Sequence, residues 1–453
     1  MAERPPPTPD TIAAIATPPG RGGIGVIRVS GKKLPEFARG LRKSGPENPP
    51  ARQAVLTGFY DAEGRCIDTG LLLYFPAPRS FTGEDVLEMH VHGGPVVLQM
   101  LLERCIELGA RLAEPGEFTR RAYLNGKIDL AQAEAVIDLI DAATVAAARS
   151  AVRSLQGDFS REIQALLEQL TELRALLEAT LDFPEEEIDF LSSDKALEHL
   201  EAIQEKLGHI FERARQGRRL QSGLCVVIAG RPNVGKSSLI NRLAGDEIAI
   251  VTPAAGTTRD ALHASMNVEG IPLHIIDTAG LRETGDEIEK IGIARAWKEI
   301  GQADVILLLI DAQNGLDAAD SALAERFPKE TPRLIIHNKI DLSNHPAGRR
   351  ENGNNVEIFL SAKHGNGIDL LRRELLAIAG GVPEEDAFIA RARHLEALEE
   401  TFRHITAARE EWPRSELAAE ELRLAQQALG RITGEFSADD LLGEIFGRFC
   451  IGK

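Results

Sequence analysis

The sequence predicts a multidomain chain of α/β and α character: an N-terminal α+β domain, a helical bundle, and a P-loop α/β domain inserted into that bundle. Three observations carry this. Short strand-like runs punctuated by Gly and Pro fill the first 125 residues or so. Apolar residues recur at helical spacing on either side of Phe183-Pro184. From 225 to 379, continuous apolar runs alternate with helical stretches around a single phosphate-loop motif.

In the N-terminal part, residues 25–29, 71–75 and 86–91 read as strands and 96–108 as a helix. Downstream, Ile163, Leu166, Leu170, Leu173 and Leu177 form one apolar stripe, and Leu197, Leu200, Ile203, Leu207 and Ile210 another. Phe183-Pro184 followed by three glutamates marks a break between them. Strands are expected at 225–229, 273–276, 305–310, 334–337 and 357–360, and their unbroken apolarity calls for a mainly parallel sheet covered on both faces. After Gly380-Gly381-Val382-Pro383 the helical pattern returns. The expected domains are therefore 1–125, 126–222, 223–380 and 381–453, the second and fourth forming one helical domain interrupted by the third.

The chain has 453 residues, 43% hydrophobic and 27% charged, as in ordinary globular proteins. No apolar run reaches 18 residues, so no membrane span is expected. No signal-peptide pattern opens the sequence, which makes cytoplasmic residence the expectation. Cys66, Cys105, Cys225 and Cys450 are too scattered for a zinc site or a disulfide framework. A net charge of −17 argues against bulk electrostatic attraction to nucleic acid, though local basic clusters remain: Arg213, Arg215, Arg218 and Arg219, and Arg391, Arg393 and His394.

Residues 230–237 match G-x-x-x-x-G-K-[ST] between an expected strand and an expected helix. Asn233, Val234, Gly235, Lys236, Ser237 and Ser238 should cradle the phosphates, with the Lys236 ammonium on the outer phosphates and the Ser237 hydroxyl on Mg2+. Asp277, Thr278, Ala279 and Gly280 end the next expected strand, where a carboxylate orients metal-bound water and a glycine N–H meets the terminal phosphate. Asn338, Lys339 and Asp341 end another. The Asp341 carboxylate suits the paired N–H donors of guanine, which adenine lacks. Ser361, Ala362 and Lys363 follow the last, offering backbone N–H to the guanine oxygen. Between the first two segments, Thr257 lies beside Thr258, which is placed to complete the Mg2+ shell. The set predicts a Ras-like guanine-nucleotide domain for GTP and Mg2+. Leu281 follows Gly280 where Ras-like GTPases carry a water-orienting Gln. Hydrolysis therefore needs another group, such as a monovalent cation or a dimer partner.

These segments, with Arg231-Pro232-Asn233 and residues 256–260, resemble the MnmE (TrmE) family of GTPases. So do residues 18–25, 81–86, 92–95, 115–118 and 129–134, and the terminal Cys450-Ile451-Gly452-Lys453. The resemblance spans the chain. It implies a tRNA modification GTPase that works with an FAD-containing partner, MnmG, on carbon 5 of the wobble uridine. It also implies a folate-binding N-terminal domain through which two copies dimerise, and a heterotetramer with MnmG. Arg28, Glu88, Lys127 and Lys453 would contact 5-formyl-tetrahydrofolate or a related tetrahydrofolate. Asn233 would ligate K+ with oxygens of Thr252, Ala254 and Thr257, Glu289 would orient the attacking water, and Arg282 would be a switch contact. Cys450 is left between a buried thiol and a role at the folate site, and His92 reads as a turn or core histidine before a catalyst. A ribosome-assembly or regulatory GTPase, and a folate-binding protein whose nucleotide domain only switches shape, stand as alternatives.

Overall fold

The computed structural model describes residues 10–45, 48–182, 193–244, 263–268, 270–277, 301, 303–325, 327–328, 331–343, 345–352, 355–379, 388–435, 445–447, 449 and 452. They fall into two compact units. Unit 1 comprises 1–137, 155–192 and 403–453, and unit 2 comprises 138–154 and 193–402.

Unit 1 is built on a six-stranded sheet: β1 (Ile12–Ile15), β2 (Gly22–Gly31), β3 (Val55–Tyr60), β4 (Cys66–Phe75), β5 (Asp85–Gly93) and β6 (Arg111–Leu112), in the order β3-β4-β5-β2-β1-β6. Alternation along each strand sorts its side chains. Ile27, Val29, Leu72, Leu87 and Met89 are buried beside Leu34 and Leu41 of helix α1 (Leu34–Leu41) and Leu98 and Leu101 of helix α2 (Pro95–Glu107). The opposite face of β2 and β5 carries Arg28 and Glu88, which the register sets directly opposite each other. Helix α3 (Glu117–Leu124) follows, then α4 (Leu130–Ile140), which belongs to unit 1 up to residue 137, and α6 (Asp158–Asp182); α5 (Val145–Leu155) between them belongs to unit 2 up to residue 154. The expected stripe Ile163, Leu166, Leu170, Leu173 and Leu177 is buried. Within unit 1, Gln426 Nε2 donates to Thr171 Oγ1 at 2.7 Å across to the C-terminal helices.

Unit 2 holds helix α7 (Ser193–Ser222) and a seven-stranded sheet: β7 (Leu224–Gly230), β8 (His263–Val268), β9 (Ile271–Asp277), β10 (Val305–Asp311), β11 (Arg333–Asn338), β12 (Gly348–Asn352) and β13 (Asn355–Phe359). The order is β12-β13-β11-β10-β7-β9-β8, parallel in the centre and antiparallel at both edges. On β10, Val305, Leu307 and Leu309 enter one core and Ile306, Leu308 and Ile310 the other. This two-faced burial is why the run is unbroken in apolarity. Helices α8 (Lys236–Ala244), α9 (Ala318–Glu325), α10 (Ile340–Ser343) and α11 (Ile368–Ile378) connect the strands. Helix α12 (Ala392–Glu410) belongs to unit 2 up to residue 402, and α13 (Ser415–Thr433) belongs to unit 1.

The two edge strands β8 and β12 and the N-terminal strands β1 and β3 add to the elements expected from sequence. Among the described residues, no helix is long and apolar enough to cross a membrane. Among the described residues, Cys66 is exposed, Cys105 buried and Cys225 half-buried, and these three are not in disulfides. Burial pushes the Cys105 thiol up to about 12.

Candidate functional site

The parallel strands β7, β9, β10, β11 and β13 end on the same edge of the unit 2 sheet, so the loops after them converge. That is the edge where open α/β sheets bind ligands. β7 ends at Gly230, and α8 begins at Lys236. Gly230 has φ +149°, and a Cβ there would stand 2.5 Å from the Leu309 carbonyl oxygen. Both non-glycine residues of unit 2 with left-handed backbone among the described residues lie in these loops: Asn233 at φ 67° and Lys339 at φ 66°. Asn233, Ser237 and Ser238 are exposed or half-buried, whereas Val234 is buried.

Asn338 ties the phosphate loop to the base side. Its amide is 2% exposed. Nδ2 donates to the Val234 carbonyl at 2.8 Å, and Oδ1 accepts the Ala362 N–H at 2.9 Å. Lys339 Nζ pairs with Asp311 at 2.8 Å. Burial would raise the Asp311 carboxyl, but Lys339 and the Gln313 N–H hold it below the usual range. Ser361 Oγ donates to Asp341 Oδ1 at 2.6 Å, and this bond above all keeps the Asp341 carboxyl low. The same hydroxyl accepts the His364 N–H at 3.2 Å. Asp341 is thus held as a carboxylate, the form that accepts two N–H donors.

Two features were not anticipated. Arg242 of α8 donates to the carbonyls of Ala362 at 3.2 Å and Lys363 at 2.5 Å. Arg231 pairs with Asp317 at 2.6 Å, and Asp320 lies 3.5 Å away at the start of α9. Arg231 sits inside the motif that the sequence flagged, and Asp317 caps α9 by accepting the Asp320 N–H at 2.9 Å. A cap of this kind is legible locally; its arginine partner, 86 positions away, is not.

Lys236 Nζ donates to the carbonyls of Gly230 at 2.8 Å and Arg231 at 3.1 Å, at the mouth of the loop and the N-terminus of α8. Glycine backbone, a helix N-terminus and an ammonium at one point fit a polyphosphate. Among the described residues no cluster of three His, Cys, Asp or Glu side chains could hold a metal. The described oxygens suited to a cation are the Ser237 hydroxyl and the Asn233 amide. Asp277 ends β9 as expected. Thr252, Ala254, Thr257, Thr258, Thr278, Ala279, Gly280, Leu281, Arg282 and Glu289 lie outside the described residues.

In unit 1 the structure brings three of the four expected folate contacts around one loop. Arg28 pairs with Glu88 at 2.9 Å, both side chains about one-fifth exposed. The Arg28 guanidinium lies 5.7 Å from the centre of the Phe81 ring and 5.8 Å from that of Phe118. His90 Nε2 stands 3.3 Å from the other Glu88 oxygen. Lys127 Nζ donates to the Pro78 carbonyl at 3.1 Å, and its stem borders Gly83. A half-buried cation–carboxylate pair beside two aromatic rings fits a flat heteroaromatic ring with a charged tail. Lys453 and Cys450 lie outside the described residues.

A buried network underlies this face. Arg121, 3% exposed, pairs with Glu84 and Glu117, each at 2.9 Å, and with Asp10 at 3.0 Å. Burial would raise the Glu117 carboxyl, but Arg111, the Glu114 N–H and Arg121 outweigh it and hold it low.

Of the turn or core placements expected for His92, the core one does not hold. Its side chain is 77% exposed at the end of β5 and bonded to Asp68. One member of each basic cluster has a partner within unit 2. Arg213 lies over the Phe388 ring at 4.1 Å, and Arg391 pairs with the buried Asp138 at 2.8 Å.

A family model described as the MnmE helical domain matches residues 130–450, and one described as the GTP-binding protein TrmE N-terminus matches 11–127. The tRNA modification GTPase MnmE of Dechloromonas aromatica is 64% identical over 448 residues, spanning 98% of this chain and 99% of that one. The protein of the same description from Aromatoleum aromaticum is 60% identical, spanning 99% of each. Among solved structures, a variant of Aquifex aeolicus Era bound to GDP and AlF4− aligns at 27% identity over 41% of this chain and 66% of that one, with a TM-score of 0.27. On the strength of its full-length relatives, its N-terminal and helical family matches and its guanine-nucleotide loops, this chain belongs to the MnmE family of tRNA modification GTPases.

Proposed function

We propose that the chain hydrolyses GTP to drive modification of carbon 5 of the wobble uridine in tRNA, together with an FAD-containing MnmG partner and a tetrahydrofolate one-carbon unit. The observation that carries the nucleotide half is the Asn338–Asp341 corner. There one amide fastens the phosphate loop to the base loop, and a carboxylate held in its charged form awaits the guanine donors. Lys236 would neutralise the outer phosphates. Ser237 with Thr258 would hold Mg2+, and Asn233 with the oxygens of Thr252, Ala254 and Thr257 would hold K+. These cations would supply positive charge where the leaving phosphate develops its negative charge. Glu289 would orient the water in place of the missing Gln. Thr278, Ala279 and Gly280 would meet the terminal phosphate after Asp277.

The folate half rests on Arg28, Glu88 and Lys127, joined by Lys453. The domains at 1–125, 126–222, 223–380 and 381–453 divide the work: folate binding and dimerisation, a helical scaffold in two parts, and GTP hydrolysis. The reading places a homodimer in the cytoplasm, in a heterotetramer with MnmG. The deciding experiment is mass analysis of wobble uridines in tRNA after deletion of the gene. Loss of the C5-modified nucleoside is expected. Normal nucleosides with accumulating ribosomal precursors would favour an assembly GTPase instead.

A further inference from the structure

The loop between β4 and β5, residues 76–84, gathers three cations. Arg52 Nη2 donates to the Arg79 carbonyl, and Lys127 Nζ donates to the neighbouring Pro78 carbonyl at 3.1 Å. Arg79 itself lies in a turn closed by its N–H on the Pro76 carbonyl at 3.1 Å. Arg52, Arg79 and Lys127 are all exposed, and none of them pairs with a carboxylate among the described residues. The carboxylates that end the loop are engaged elsewhere. Glu84 binds Arg121 and the Ser30 hydroxyl, each at 2.9 Å, and Asp85 accepts the Ala77 N–H at 2.9 Å. In a chain of net charge −17, three cations on one loop make a local positive field.

The fold holds this cluster in place. Arg52 is one of two non-glycine residues of unit 1 with left-handed backbone among the described residues, at φ 58°. Such a residue persists only where its surroundings fix it. Here its N–H donates to the Tyr74 carbonyl at 2.8 Å, while its guanidinium reaches the Arg79 carbonyl. Asn125 Nδ2 pins the other side of the loop by donating to the Thr82 carbonyl at 2.7 Å. The same loop borders the Arg28–Glu88 pair. Phe81 is 38% exposed, and its ring centre lies 5.7 Å from the Arg28 guanidinium. Arg79 is two residues from Phe81, at most about 7 Å along the backbone.

We propose that Arg52 and Arg79 bind the additional carboxylates of a tetrahydrofolate carrying several γ-linked glutamates, so that unit 1 selects the polyglutamyl form over the monoglutamyl one. This rests on the folate reading above, with Lys127 as the cation for the first glutamate. Each further γ-linked glutamate adds one net carboxylate to the tail, and an arginine fork matches a carboxylate. The tail gains negative charge in the direction in which the cations continue. RNA phosphates carry the same charge, but a nucleic acid draws its affinity from many cations spread along its backbone. Three on one loop suit a short anionic tail.

The test is calorimetry of the full-length protein with monoglutamyl and tetraglutamyl 5-formyl-tetrahydrofolate, at low and at high salt. An exposed charge pair gives up to about a fivefold gain in affinity, so wild type should bind the tetraglutamyl form about tenfold more tightly. That ratio should shrink at high salt, as screening requires. Arg79→Gln should lower it to about threefold, and adding Arg52→Gln should bring it near unity. Because Arg52 also braces the loop, Arg79→Gln alone decides the matter if the double variant folds poorly. Equal affinity of wild type for the two forms overturns the proposal and leaves the folate reading standing. Variants that keep the wild-type ratio but bind tRNA more weakly overturn it too, and give the cluster to RNA phosphates. A wild-type protein that binds neither form overturns the folate reading and the proposal with it.

Discussion

Asn338 occupies the space that a side chain on Gly235 would need. A Cβ at Gly235 would fall well inside contact distance of Asn338 Nδ2, and Gly235 itself has φ +103°. The amide has little room to yield, since both its ends are bonded and it is 2% exposed. Gly235→Ala should therefore weaken GTP binding by about 1–3 kcal/mol, or about 10- to 100-fold in Kd measured with a fluorescent nucleotide. Asn338→Ala strands the Val234 carbonyl and the Ala362 N–H, each costing about 1–3 kcal/mol. It should lower both nucleotide affinity and the thermal midpoint.

Guanine selection should follow Asp341. Asp341→Asn is expected to weaken GTP about 100-fold or more and to favour xanthosine triphosphate, checked by competition binding. Ser361→Ala removes the hydrogen bond that most lowers the Asp341 carboxyl. With wild type, GTP affinity should stay flat as pH falls toward 5, because that carboxyl titrates below its ordinary value. With Ser361→Ala, the fall-off should begin at higher pH. Identical profiles for the two proteins would refute this role for Ser361.

Hydrolysis should depend on the monovalent cation. Asn233 has a left-handed backbone and an exposed position on the phosphate loop. GTP turnover in potassium should exceed that in sodium by about 100-fold, the scale of one lost charge-stabilising contact. Asn233→Ala should erase the difference. Equal rates in the two salts would discount a cation at this residue.

Folate binding should need the cross-strand pair. Arg28→Ala is expected to reduce 5-formyl-tetrahydrofolate affinity at least about tenfold by calorimetry while leaving GTP hydrolysis intact. Unchanged heats would place the ligand elsewhere.

Acid stability of unit 1 should report Glu117. Its folded carboxyl is held below the unfolded value of about 4.5, so its stabilisation is present above that pH and is lost as pH falls through the lowered folded value. Glu117→Gln should flatten the stability profile below pH 4.5. Arg121→Leu leaves Glu84 and Glu117 without their shared cation and should cost about 3 kcal/mol, followed by urea denaturation.

How much of this was readable in advance depended on how local each cause is. The phosphate loop was legible because strand, turn and helix N-terminus follow one another within about a dozen residues. The central strands were legible because burial on both faces leaves an unbroken apolar run. β12, by contrast, is Gly-Arg-Arg-Glu-Asn, a polar edge strand ordered by pairing with β13 rather than by its own pattern. Arg121 reads as one charge among many on a helix, and only the tertiary fold brings Glu84 and Asp10 to it from 37 and 111 positions away. The exposure of His92 was unreadable for the same reason. The sequence offers no hint that Asp68, 24 positions earlier, stands beside it.

The short helix α8 has a further consequence. Lys236 begins it at the phosphate loop, and Arg242, six residues on, grips the carbonyls of Ala362 and Lys363. A helix rises about 1.5 Å per residue, so the two ends are held about 9 Å apart by a rigid spacer. The domain therefore carries a built-in ruler between the phosphate loop and the loop after β13. One residue inserted into α8 would turn Arg242 through about 100° and detach it. Nucleotides whose base and phosphates are spaced differently from a nucleoside triphosphate would fail at one end of the ruler or the other.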